Sequence, residues 1–260
     1  MESYYLQLVR SDLLTLLKEL PEVGSFTLRE DGKVSVTLRP DWDTPWHHVI
    51  PMRETDCHLW HKLIFRMLGF VPSRCQECYK VVVRPRTLRG LFALLRVQQE
   101  LALPSKCGIE LREYVPALYG GYFYNRGLKR GKECYRVVRA NVDRNEQLGP
   151  DVSVILKRGC TEMEHQCGPS NGWSVADGQH EAEAFFDNSI VRVRTYDAQP
   201  ELIIKRVHRR WIEFAFAAGD ETYRDYTGGE PLYPPSVTYH NEMEPVEGAI
   251  DSVLHSLPGP

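Results

Sequence analysis

Leucines at positions 13, 14, 16, 17 and 20 recur at helical spacing within residues 11–20. With Ser11 or Asp12 as a cap and Pro21 as a stop, they predict an amphipathic helix. The pattern then changes to alternation. Residues 25–30 and 33–39 flank Asp31-Gly32, a dipeptide suited to the positive φ angles of a tight turn, and predict a β-hairpin. A loop over 41–48 and a helix over 56–68 follow. Beyond them the periodicity predicts strands at 79–84, near 109–112, at 152–157 and at 190–195. Helices are predicted at 87–101, 128–145, 179–186 and 200–217, and a loop at 159–178.

Strands separated by helices imply an α/β or α+β fold, with helices packed on a mixed sheet. The expected organisation is an N-terminal helix and hairpin in residues 1–50, a main domain with a cysteine-rich, metal-stabilised core region in 51–218, and an acidic, proline-containing tail in 219–260. A chain of 260 residues with 42% hydrophobic and 26% charged residues can bury a sizeable core. It has no apolar run of the roughly 20 residues needed to span a bilayer, and no secretory leader pattern opens it. A cytoplasmic protein with no membrane association is expected.

That expectation bears on the seven cysteines, at 57, 75, 78, 107, 134, 160 and 167. In a reducing compartment they are thiols or metal ligands rather than a disulfide framework. Cys75 and Cys78 form a CxxC pair just before a predicted strand, Cys107 precedes the next strand, and Cys160 follows a third. If the first two strands run parallel and the third runs antiparallel to them, the four thiols meet at one end of the sheet, as a tetrahedral zinc site requires. Zinc on Cys75, Cys78, Cys107 and Cys160 is therefore expected, with Cys167 or His165 as substitutes for Cys160. An iron–sulfur cluster uses the same ligand types, and buried or free thiols with no metal are the plainer account. A further candidate is Cys57-His-Leu-Trp-His61, which places Cys57 and His61 on one helical face where His47 or His48 could join them.

Charge is unevenly distributed. Between Arg74 and Arg139 there are fourteen Lys and Arg against five Glu, whereas 219–260 carries eight acidic residues against Arg224. Such a basic stretch points to a phosphate-bearing partner. Within Tyr119-Gly-Gly-Tyr-Phe-Tyr-Asn-Arg126, Tyr122 and Tyr124 could stack on unpaired bases, or the rings could alternate into a core. Arg126, Lys129, Arg130 and Lys132 are the candidate phosphate ligands, and Lys205, Arg206, Arg209 and Arg210 form a second candidate stripe on the last helix.

No phosphate-binding loop, dinucleotide fingerprint, nucleophile elbow or HExxH motif occurs, so no catalytic residue set is expected. The leading expectation is a non-catalytic, zinc-stabilised accessory protein that binds nucleic acid. The first rival is a protein-interaction or regulatory subunit of a larger bacterial complex, such as a CRISPR-associated defence assembly, docking through its acidic tail or through Trp42, Trp46 and His47. The second is a metalloenzyme built on the cysteines and histidines.

Overall fold

The computed structural model describes residues 24–38, 44–51, 57–193 and 198–232. The expected helix at 11–20 and most of the tail lie outside them. The chain divides into two compact units, Met1–Tyr223 and Arg224–Pro260.

The hairpin forms as expected: β1 (Gly24–Leu28) pairs antiparallel with β2 (Val34–Leu38), and Gly32 turns the chain at φ 76°. A third strand, β8 (Ile190–Val193), joins β2 in parallel. The frame of the larger unit is a separate five-stranded sheet. Its strands are β3 (Trp46–Ile50), β4 (Cys78–Arg84), β5 (Ser105–Ile109), β6 (Tyr119–Arg126) and β7 (Ser153–Arg158). They are ordered β3-β5-β6-β4-β7, and every neighbouring pair is antiparallel. The mixed sheet is thus the small one, and the architecture is α+β.

Residues 57–68 form the expected helical stretch, as α1 (Cys57–Leu59), a π-helical turn (Trp60–Phe65) and α2 (Arg66–Leu68). The one-turn α3 (Ser73–Gln76) leads directly into β4. The longer helices are α4 (Leu88–Leu101), α5 (Leu128–Arg144), α7 (Gln179–Ser189) and α8 (Glu201–Ala217). Within the expected loop at 159–178 the chain forms α6 (Thr161–Cys167) instead. Met163 anchors it, buried with Phe65, Val71 and Cys75. The end of the expected loop at 41–48 is likewise taken up by β3, which begins at Trp46 and whose pairing with β5 supplies the backbone partners that local sequence does not.

Helix α4 packs on β5 and β6, α5 on β4, β6 and β7, and α8 on β3 and β5. Two glycines set how closely the helices approach. A Cβ on Gly121 of β6 would meet Leu94 of α4, and one on Gly131 of α5 would lie 3.0 Å from Tyr79 and Leu156. The amides that open α4 are fully engaged. Thr87 Oγ1 accepts from Gly90, Asp220 accepts from Leu88 at 2.6 Å, and Thr222 Oγ1 accepts from Arg89. No helix among the described residues is long and apolar enough to cross a membrane.

Candidate functional site

Helix α5 buries Gly131, Cys134, Val138 and Val142, spaced three or four residues apart, against the sheet. That stripe turns Lys129, Arg130, Lys132 and Arg136 outward, between Arg126 at the end of β6 and Arg144 at the last helical residue. All six are exposed, and among the described residues none is held in an ion pair. Glu133 is an acidic residue on the same outer surface, and Arg139, lower on the helix, pairs with Asp143. The candidate phosphate ligands Arg126, Lys129, Arg130 and Lys132 are therefore brought to one surface, with Arg136 and Arg144 added to them.

The second stripe is largely neutralised within its own helix. Lys205 pairs with Glu201 at 2.7 Å and Arg209 with Glu213 at 2.9 Å, each one turn away. Arg206 is exposed, while Arg210 has its own partner within the structure. Elsewhere in residues 74–139, Arg74 pairs with Asp187 and Arg112 with Glu110.

Tyr122 and Tyr124 face away from α4 and α5, on the second face of the sheet, and neither is a free stacking platform. The Tyr122 hydroxyl donates to Glu110 Oε2 at 2.9 Å and accepts from Arg112 Nη2 at 2.8 Å. Its ring meets Trp46 edge-on at 5.5 Å, and Lys106 Nζ lies 4.6 Å from the Trp46 ring. Tyr124 is half-buried, with Lys80 Nζ 5.5 Å from its ring. Trp46 and His47, expected as docking groups, belong to β3. His47 is buried against His208 and Trp211 of α8, and Trp42 lies outside the described residues.

The second face is strongly cationic. Lys157 pairs with Glu164, but among the described residues no carboxylate meets Lys80 or Lys106. Burial and the neighbouring Lys80 and Arg112 push the Lys106 ammonium down to about 8. Burial acts the same way on Lys157, again with Lys80 beside it, and also takes it to about 8. Lys80 behaves differently. Burial opposes its charge, yet Cys160, Cys78 and Tyr124 hold its pKa well above the usual lysine value.

Three of the four expected zinc ligands meet here, at the corner where β4 begins. Cys78 is the first residue of β4, and Cys75 sits in α3 just before it. Arg158 braces this turn by donating to the carbonyls of Gln76 and Ser170. Cys160 follows β7, whose exit is tied to β4 by a bond from Gly159 N–H to Cys78 O of 2.8 Å. Its Sγ lies 2.8 Å from Lys80 Nζ. Cys75 and Cys160 also pack into one apolar cluster with Met163 and Trp173. Burial pushes the Cys78 thiol up to about 12, and burial raises Cys75 further.

Cys107 does not belong with them. The condition on strand direction is met, since β4 and β5 run in the same direction and β7 opposes them, but β6 intervenes between β4 and β5. Cys107 pairs with Gly121 and Cys78 with Arg126, five residues apart on β6, or roughly 17 Å along the strand. Cys107 also shares with Gly121 the face covered by α4, opposite to Lys80. The expected strand near 109–112 begins earlier, at Ser105, so Cys107 is a mid-strand core residue.

The alternates also stand apart. Cys167 is exposed at the end of α6, and exposed His165 stacks near Tyr114. Of the Cys57–His61 candidate, His61 Nε2 pairs with Glu162 at 3.0 Å, while His47 is committed to His208. Among the described residues no three His, Cys, Asp or Glu side chains stand together at ligating distance. Cys57 itself lies close enough to Cys75, Cys78, Lys106 and Tyr124 to act on each electrostatically.

Comparison with known proteins finds no matching family model, curated protein or solved structure. The chemistry of the site therefore rests on its own residues. Among them Lys80 and Lys106 escaped sequence reasoning. Alternation within β4 and β5 places both on the second face, but only the strand order brings them together.

Proposed function

We propose that this chain is a non-catalytic protein that binds nucleic acid through the outer surface of α5, engaging phosphates without reading base identity. The observation that carries this reading is the set of exposed, unpaired cations at Arg126, Lys129, Arg130, Lys132, Arg136 and Arg144. A globular protein has little reason to gather five unpaired cations on one helix with a sixth, Arg126, at the strand end before it, whereas a polyanion would be drawn to them through release of its counterions. Tyr122, Tyr124 and the α8 stripe play no part in this contact.

The test is binding of labelled single-stranded and duplex oligonucleotides at low salt, using the variant Lys129→Glu, Arg130→Glu, Lys132→Glu. Loss of affinity by tenfold or more, regardless of sequence, supports the proposal. Unchanged affinity sinks it.

A second reading, protein docking, is favoured by the connection between β5 and β6. Leu111 is 59% exposed there and Leu118 43%, and both line a shallow, open surface groove together with Phe214. Replacing Leu111 and Leu118 by Asp would break a co-purifying complex that survives high salt and nuclease if this reading holds.

A further inference from the structure

Lys80 and Cys160 are eighty residues apart in the chain, yet Nζ of one stands 2.8 Å from Sγ of the other. Strand pairing holds them there. Lys80 lies opposite Lys157 in the β4–β7 ladder, and just past the end of that ladder Gly159 N–H donates to Cys78 O at 2.8 Å, which fixes where Cys160 emerges. Lys80 is 8% exposed, whereas Cys160 is only half-buried. Solvent therefore reaches the sulfur better than the amine.

The amine is poorly placed as a charge. Among the described residues no carboxylate meets it, its hydrogen-bond partner is Cys160 Sγ, and the residue directly across the ladder is another lysine. Like charges so placed repel, and a buried ammonium forfeits its hydration. Burial opposes the charge on Lys80, and Cys160 leads the groups that sustain it. A reaction that turns the Cys160 sulfur into a neutral electrophile removes that support and leaves a free amine beside it.

We propose that Cys160 and Lys80 form an oxidant-responsive modification site, at which peroxide creates a covalent sulfur–nitrogen bond between the exit of β7 and β4. Peroxide transfers one oxygen to the sulfur: the thiol gives up two electrons and becomes a sulfenic acid, and the peroxide leaves as water. Lys80 sheds one proton to solvent and its Nζ attacks the sulfur. The S–O bond breaks, and the hydroxyl departs as water with a second proton from the amine. One thiol, one ammonium and one peroxide thus give one sulfenamide, two waters and one proton. Sulfenic acids close on a nearby backbone nitrogen by the same chemistry. Cys75 packs into the same apolar cluster as Cys160, but burial raises its thiol pKa and makes it the weaker competitor for the oxidised sulfur. The site lies on the sheet face away from α5, which meets Tyr79 rather than Lys80, so it stands or falls separately from the nucleic-acid reading.

The experiment treats the reduced full chain with hydrogen peroxide and maps it by mass spectrometry. Cleavage with trypsin and a glutamate-specific protease separates Cys160 from Cys167 at Glu162 and Glu164. The expected product is a peptide joining Cys160 to Lys80, lighter by two hydrogens than the sum of its reduced parts, uncut at Lys80 and released by dithiothreitol. Lys80→Arg keeps the cation but removes the condensing amine, so the linked peptide should vanish and dimedone should trap a sulfenic acid on Cys160. Should that variant misfold, the wild-type map still decides. In wild-type protein, Cys160 left reduced at a dose that oxidises exposed Cys167, Cys160 in a disulfide with Cys75, or a Cys160 sulfenic acid beside unmodified Lys80 would overturn the proposal.

Discussion

His47 Nδ1 lies 2.9 Å from His208 Nε2, joining the edge strand β3 to the middle of α8. One ring must donate and the other accept, so the pair cannot be doubly protonated. Burial lowers the His47 imidazole to about 4, His208 adding to the effect, and burial lowers His208 as well.

Acid should therefore loosen this junction. Between about pH 6.5 and 4 the unfolded chain takes up a proton that folded His47 refuses, so stability falls as pH falls through that window. For His47 alone the loss approaches about 3 kcal/mol. His48, lowered to about 3 first by burial and then by Lys106, acts in the same direction. Urea unfolding at pH 7.5 and 4.5 measures the decline, and His47→Gln should flatten it. An equally steep decline in the variant would mean that other groups govern acid stability.

Gly108→Ala tests the seam between β3 and β5. An added Cβ would sit 2.1 Å from the Pro45 carbonyl oxygen and 3.0 Å from the Trp46 ring, and backbone cannot swing aside as a side chain can. The expected cost is about 3 kcal/mol, the upper end of ordinary overpacking. That corresponds to a fall in Tm of about 10 °C by calorimetry.

Asp220→Ala removes the acceptor for Leu88 N–H at 2.6 Å, Tyr119 O–H at 2.7 Å and Thr222 Oγ1 at 2.7 Å. One carboxylate thus caps α4 and satisfies a buried phenol. A loss of roughly 2–3 kcal/mol is expected from chemical denaturation, against a smaller loss for Thr87→Ala. Equal losses would show that the phenol contact contributes little.

Ionic strength offers a further check on α5. If its cations meet phosphates, the slope of log affinity against log salt should shrink by about 3 in the Lys129, Arg130, Lys132 triple variant, one unit for each contact removed. Lys205→Glu with Arg209→Glu should leave the slope unchanged, because those cations are already paired within α8. Equal effects from the two variants would point to general charge rather than to a defined surface.

Local pattern by itself determined the hairpin around Gly32, the long helices α4, α5 and α8, and the outward turn of Lys129, Arg130 and Lys132, because hydrophobic periodicity and turn chemistry act over a few residues. It could not determine strand order. The insertion of β6 between β4 and β5, the removal of Cys107 to the far face and the packing of Cys160 beside Cys75 and Lys80 all depend on pairings between residues distant in the chain. Burial of Tyr122 beside Glu110 and Arg112, and pairing of Lys205 and Arg209 with their own helix, were decided in the same way. A side chain's type sets what chemistry it can perform, but its neighbours, supplied by tertiary packing, set which part of that chemistry is left for function.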